Sequence, residues 1–225
     1  TPVLRYKQIL NQHGGSTEFS LKKGKNIITI PEYNVEADGI PEGTALGGGL
    51  YFTNYSSDKQ SRAPKVRIVG AQKYALYKLG ETDDETIMKE LEEYVELVNA
   101  NPEVVPDMFD ISSDKTLCFV KATTALQWYK DNNKTPRYTA ERWDETIKLA
   151  MDFWGFDNSS DLHSDYNFRI MPMTKDLRGG AFMNAGNGVI GIRPANQDAI
   201  LNANRGWGVI HELGHNLDTS GRTIV

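Results

Sequence analysis

The sequence predicts an α+β fold, in which a β-rich lead-in domain, residues 1–72, precedes a region of strands and helices, residues 73–225. Short β-branched runs separated by turn-forming residues fill the first 70 positions, and apolar residues recur at helical spacing after Thr82. A hydrophobic content of 39% is enough to build a core in a chain of 225 residues. We therefore expect a β-sandwich-like first part and a second domain in which helices pack on strands.

The lead-in should consist of short strands that end at turn-forming residues. A turn is expected over residues 22–26, and Pro31 should stop the strand before it. The triple glycine at 47–49 is not followed by Gly-Lys-Ser/Thr, so a tight entry to a strand is favoured over a phosphate-binding loop. The strands are predicted at residues 19–21, 27–30, 47–52 and 65–69.

Two helices are predicted in the second region. The first follows Thr82, has an acidic first turn and should bury Ile87, Leu91, Tyr94, Val95 and Val98. The second covers residues 139–153 and should turn Trp143, Ile147, Ala150 and Met151 inward. The glutamates at 90, 92, 93 and 96 are interpreted as the solvated face of the first helix.

A strand at residues 168–173 leads into a glycine-rich segment, residues 178–193. This segment contains G-x-G-x-x-G at Gly186, Gly188 and Gly191, a pattern that also occurs in dinucleotide sites. Pro194 follows the pattern where such a site would need a helix, so a glycine-rich hairpin is the better interpretation. An edge strand of such a hairpin can also pair with an extended peptide, and this hairpin is placed to do that.

The composition excludes several classes of protein. A net charge of −5 without a basic run argues against a nucleic-acid partner. No apolar stretch reaches the roughly 20 residues that span a bilayer, so we expect no membrane insertion. Cys118 is the single cysteine, which excludes an internal disulfide without excluding secretion. We expect a monomer whose start has been trimmed from a longer chain.

The pattern H-E-x-x-H at residues 211–215 carries the chemistry. On a helix this spacing places His211 and His215 one turn apart, where both can bind one zinc ion with Glu212 beside them. Gly208 should leave the metal side open. The opposite side should pack through Ile210, Leu213 and Leu217. The alternative is a helix that carries two histidines by chance, but the amphipathic pattern favours the zinc site.

Two histidines do not complete a catalytic zinc site, which normally has three protein ligands. The metzincin pattern is rejected because Asp218 and Gly221 stand where it needs glycine and a third ligand. Asp218 is better suited to support a ligand or to end the helix. A glutamate on a following helix, the gluzincin (thermolysin-like) arrangement, would lie beyond Val225. We therefore expect the upper part of a catalytic domain that is incomplete at its C-terminus and lacks its third ligand.

Several segments together resemble the enhancin-like zinc metallopeptidases, peptidase family M60. They are the helix with Arg142-Trp143-Asp144, the segment 179–186, and Gly206-Trp207-Gly208 with the motif up to Asn216. The resemblance implies that His211 and His215 bind zinc, that Glu212 is the general base, and that a later glutamate is the third ligand. It also implies a secreted or cell-surface enzyme that cuts mucin-type, O-glycosylated proteins.

Four residues flank the expected cleft and are predicted to contact a glycoprotein substrate: Gly186, Asn187, Arg193 and Trp207. A second hypothesis is a non-catalytic glycan-binding or adhesin module whose zinc motif is vestigial. The glycine-rich hairpin and the β-rich first part suit it equally well. A cytosolic peptidase is a third possibility, compatible with one free cysteine.

Overall fold

The structure is a computed structural model that describes residues 2–8, 17–29, 48–54, 65–160, 167–172, 183–186, 188–193, 196–203 and 207–218. Among these residues it has two β-sheets and five helices. The first sheet is antiparallel, with the order β2-β1-β3. Its strands are β1 (Pro2–Gln8), β2 (Thr17–Ser20) and β3 (Gly48–Asn54).

The second sheet is mixed and has six strands. Its strands are β4 (Leu76–Lys78), β5 (Phe109–Ser112), β6 (Thr116–Val120), β7 (Phe168–Pro172), β8 (Met183–Gly186) and β9 (Val189–Ile192). They are ordered β4-β5-β6-β7-β9-β8, with antiparallel hairpins β5–β6 and β8–β9 and parallel pairing elsewhere. Among the described residues, strand β8 therefore forms one edge of this sheet.

The described helices are α1 (Asp84–Ala100), α2 (Ala122–Asn132), α3 (Pro136–Trp154), α4 (Asp198–Leu201) and α5 (Trp207–Asp218). Local sequence signals mark ends of α1 and α3. The Asp83 side chain accepts a hydrogen bond from the backbone N–H of Thr86 and caps the N-terminus of α1. Helix α3 starts at Pro136 and is capped after Trp154 by Gly155, whose φ of 73° lies in the left-handed region that favours glycine. None of the described helices is long and apolar enough to cross a bilayer.

The core lies where α1, α2 and α3 pack with the six-stranded sheet. All five residues predicted to face inward on α1 are buried, as are Trp143, Ile147 and Met151 of α3, whereas Ala150 is half-buried. The largest fully buried side chains are Trp143, Tyr77, Tyr129 and Phe109. The helical periodicity therefore identified the inward faces of both long helices.

A buried carboxyl group joins the two sheets. Tyr51 of β3 and Tyr74 each donate a hydrogen bond of 2.7 Å to Oδ2 of Asp110 on β5. The Tyr51 ring also lies edge-on to Phe119, with centroids 6.0 Å apart. Burial raises the pKa of Asp110 to about 6, although the two phenol hydrogen bonds partly oppose the shift.

Some local predictions were wrong. Residues 27–29 and 65–69 are not strands, and all of residues 65–70 are exposed. Their β propensity is high, but propensity does not supply a neighbouring strand, and none of the described residues pairs with them. The described lead-in contributes one antiparallel sheet, so the β-sandwich and the division at residue 72 remain predictions.

Candidate active site

The segment before α5 is held by buried hydrogen bonds from α3 and α2. Trp143 Nε1 donates to the Ile200 carbonyl at 2.9 Å, and the Thr139 hydroxyl donates to the Leu201 carbonyl. The buried side chain of Gln197 accepts a 2.7 Å hydrogen bond from the backbone N–H of Lys121. These bonds hold α4 against α3 and the start of α2.

Helix α5 packs on the core through a stripe of residues spaced four apart, Val209, Leu213 and Leu217, all at most 2% exposed. The sequence predicted Ile210 in this face, but its exposed fraction is 37%. At about 100° per residue, Ile210 lies beyond Leu217 at the margin of the buried arc, while Val209 lies inside it. Leu213 and Leu217 are buried as predicted.

The two motif histidines share an exposed stripe of α5 with Trp207. Nε2 of His211 lies 2.9 Å from Nε2 of His215, and the rings meet edge-on with centroids 4.4 Å apart. The indole of Trp207 stacks on the His211 ring at 4.6 Å. Two nitrogens bound to one tetrahedral zinc ion are about 3.3 Å apart, so the pair needs to open only slightly to fit such an ion.

A third stripe of α5, formed by Gly208, Glu212 and Asn216, faces the β8–β9 hairpin. A Cβ added at Gly208 would lie 3.0 Å from Sδ of Met183 on β8. Gly208 therefore permits a close approach of helix and strand, while its expected role in leaving the metal side open stays a prediction. At the other end of the stripe, the side chain of Asn216 forms hydrogen bonds with the hairpin. Glu212 lies midway and is 8% exposed.

The remaining predicted residues lie along the hairpin. Gly186 ends β8 and Arg193 follows β9, and both are half-buried. Since Ile192 pairs with Met183, Arg193 and Trp207 lie at one end of the hairpin and Gly186 at the other. Asn187 and the side chain of Asp218 lie outside the described residues.

The described part of the chain contains no cluster of three His, Cys, Asp or Glu residues that could hold a metal ion. What the described residues bring together is the histidine pair, with Glu212 on the adjoining stripe. Imidazole nitrogens are donors that zinc accepts, so the residues present fit part of a zinc site.

Sequence reasoning assigned no role to Asn216, although it directly follows the second histidine. The signal was present in the four-residue spacing of Gly208, Glu212 and Asn216, which places all three on one side of a helix. What that side would contact could not be read from the sequence.

Comparison with known proteins gives consistent matches. The family described as "Peptidase M60, enhancin and enhancin-like" matches residues 70–223. No curated protein matches the chain.

Among solved structures, the chain is similar to the ZmpB metallopeptidase from Clostridium perfringens, with 67% identity and a TM-score of 0.88 over 100% of this chain and 44% of that one. The M60 catalytic domain of ZmpC from the same organism, in complex with the sialyl T antigen, is 60% identical, with a TM-score of 0.87 and the same coverage.

The catalytic module of ZmpA, also from Clostridium perfringens, is 51% identical with a TM-score of 0.86, over 99% of this chain and 44% of that one. The chain therefore spans less than half the length of these structures.

Proposed function

The chain belongs to the peptidase M60, enhancin and enhancin-like family, and we propose that it forms part of a secreted or cell-surface zinc endopeptidase that cleaves O-glycosylated, mucin-like proteins. The observation that carries this proposal is the convergence of His211 Nε2 and His215 Nε2, 2.9 Å apart, on an exposed face beside Glu212. The mixed fold with its six-stranded sheet is that of the similar catalytic domains.

His211 and His215 would hold the metal ion, with a glutamate of the longer chain as the third ligand of a gluzincin-type site. A bound zinc ion supplies Lewis acidity, which activates water near neutral pH and polarises the scissile carbonyl. Both imidazoles lie on the exposed side of α5, so a substrate can approach them without rearrangement of the core.

Glu212 would act as the general base, which takes a proton from water and passes it to the leaving amine. Its stripe adjoins the imidazole stripe, and its low exposure keeps the carboxylate away from bulk solvent.

Strand β8 would bind the substrate backbone. It pairs with β9 on one side, and no described strand covers its other side. All four of its residues are half-exposed, so their backbone groups can pair with an extended peptide. Gly186 would allow close approach because it has no side chain.

Trp207 would contribute an aromatic surface for a glycan. Its exposed fraction is 76%, which is high for a side chain of this size, and it lies beside His211. Arg193, at the same end of the hairpin, would supply hydrogen bonds to sugar hydroxyls, and the same role is proposed for Asn187 from its residue type alone. The similar ZmpC domain was solved with a sialylated glycan, which supports a glycoprotein substrate for this chain.

The test uses the longest natural chain that contains this sequence. An O-glycosylated peptide and the same peptide without glycan are incubated with the protein, with and without a zinc chelator. We expect cleavage of the glycosylated peptide alone, lost with chelator and restored by zinc. Glycan binding that resists the chelator, with no cleavage under any condition, would instead support the glycan-binding module.

A further inference from the structure

Asn216 joins the motif-bearing helix to the turn of the β8–β9 hairpin. Its Oδ1 accepts a hydrogen bond of 2.9 Å from the backbone N–H of Gly188, and its Nδ2 donates one of 3.1 Å to the Val189 carbonyl. One side-chain amide therefore pairs with a donor and an acceptor of consecutive hairpin residues. No step of the proposed reaction uses this side chain.

The hairpin turn is also held from the opposite direction. The Gly188 carbonyl accepts a 2.9 Å hydrogen bond from the backbone N–H of Arg169 on β7. Gly188 has a φ of 72°, a conformation that favours glycine. The turn is therefore fixed between the sheet on one side and α5 on the other.

Helix α5 touches the hairpin at a second point, where Gly208 meets Met183. Met183 begins β8 and Gly188 follows its end, so helix and strand run in the same direction and touch at both ends. Asn216 lies eight positions after Gly208, which corresponds to about 12 Å of helix rise, and Glu212 lies about 6 Å along the helix axis from each contact.

We propose that Asn216 is a positioning residue whose amide sets where the β8 edge lies along α5. It thereby fixes the distance between Glu212 and a substrate backbone paired with β8. The part of this inference that concerns substrate rests on the proposed function, but the placement of the hairpin on the helix does not.

Only an amide of this length serves both partners. Aspartate would still accept from Gly188, but its second oxygen would face the Val189 carbonyl and be repelled. Leucine branches at the same atom and offers neither bond. Asn216→Asp and Asn216→Leu therefore remove one and both bonds with little change in shape.

The experiment compares these variants with the wild type and with Asn132→Ala in the longest natural chain. Asn132 is a matched control because its exposed amide also donates to a backbone carbonyl, that of Trp128 at 2.8 Å, but on α2. Three quantities are measured: hydrogen exchange of the Gly188 amide, zinc per chain, and kcat/KM for two glycopeptides. One glycopeptide is short, and the other is extended by three residues along β8.

We expect Asn216→Leu to lose protection of the Gly188 amide and to keep its zinc. Its kcat/KM for the extended substrate should fall about 10- to 100-fold, because small errors of placement slow a reaction strongly, with a change of less than about threefold for the short one. Asn216→Asp should show a smaller loss of the same kind, and Asn132→Ala none.

An equal loss on both substrates would overturn the proposal, because general destabilisation does not distinguish substrate length. Unchanged protection of Gly188 in Asn216→Leu would overturn it as well. If the wild type neither binds zinc nor cleaves, the proposed function fails separately, and Gly188 exchange alone then decides whether Asn216 places the hairpin.

Discussion

Two buried carboxyl groups lie in very different surroundings. Asp110, fully buried on β5, accepts hydrogen bonds from the phenols of Tyr51 and Tyr74. Glu212, 8% exposed on α5, lies between the exposed histidines and the β8 edge. Asp110 connects two sheets, whereas Glu212 adjoins a face that is open to solvent.

The comparison shows that a shifted pKa alone does not identify a catalytic carboxyl group. Burial raises the pKa of Asp110 to about 6, a property often found at active sites. Its hydrogen-bond partners are nevertheless two tyrosines that hold the sheets together, and no described histidine lies among them. The residues around each group, and whether a substrate can reach them, separate the two roles.

The largest expected effect comes from Glu212→Gln, which removes the proposed general base and keeps the shape of the side chain. We expect kcat/KM on a glycosylated substrate to fall by about 100- to 10,000-fold while zinc binding is retained. Asp110→Asn is the matched control, since it neutralises the other buried acid, and its kcat/KM should stay near that of the wild type. Retained cleavage in Glu212→Gln would remove the distinction between the two carboxyl groups.

Asp110→Ala should affect stability rather than chemistry. At pH 5, where Asp110 is largely protonated, the substitution leaves two buried phenol hydroxyls without their acceptor. The free energy of unfolding should fall by about 2–4 kcal/mol, measured by urea denaturation. Activity per folded molecule should not change, and a selective loss of kcat would instead place Asp110 in the reaction.

The pH dependence of stability provides a third test. The pKa of Asp110 rises from 3.8 to about 6 on folding, so the folded state binds the proton more tightly. The contribution of Asp110 to the free energy of unfolding is therefore fully present below about pH 4. It is lost as the pH rises through 6, which lowers the free energy of unfolding by about 3 kcal/mol. Urea denaturation from pH 4 to 7 should show this loss in the wild type. If Asp110→Asn has the same pH profile, the loss does not come from Asp110.

Tyr51→Phe should have the smallest effect. It removes one of the two phenol donors, while Tyr74 still bonds Asp110, so we expect a loss of about 1 kcal/mol in unfolding free energy. Tyr138→Phe is the control, because its hydroxyl makes only an exposed 3.3 Å bond to Asn202. Equal losses in the two variants would argue against a special contribution of the Asp110 cluster.

The sequence was most informative where the pattern was local and long. The inward faces of α1 and α3, the β8–β9 hairpin and helix α5 follow from periodicity and glycine placement, and the structure contains them, although Ala150 is half-buried and Ile210 is exposed. The resemblance to the enhancin-like peptidases, which rested on the motif and its glycine-rich approach, is confirmed.

Features that depend on distant residues could not be predicted. Helix α2 was missed because its first turn is bonded by Asp107, which accepts from Thr123 across 16 residues, rather than by an adjacent cap. The role of Gly208 depends on Met183, and that of Asn216 on Gly188. For Gly208 and Asn216, the partner becomes visible only when the hairpin lies against α5.

The most direct test of the central claim is the zinc content of the longest natural chain, measured by elemental analysis after dialysis. We predict about one zinc ion per molecule in the wild type and in Glu212→Gln, and almost none in His211→Ala or His215→Ala, since each removes one of the ligands. A wild type without zinc, or a His211→Ala variant that keeps it, would contradict the assignment of the metal to α5.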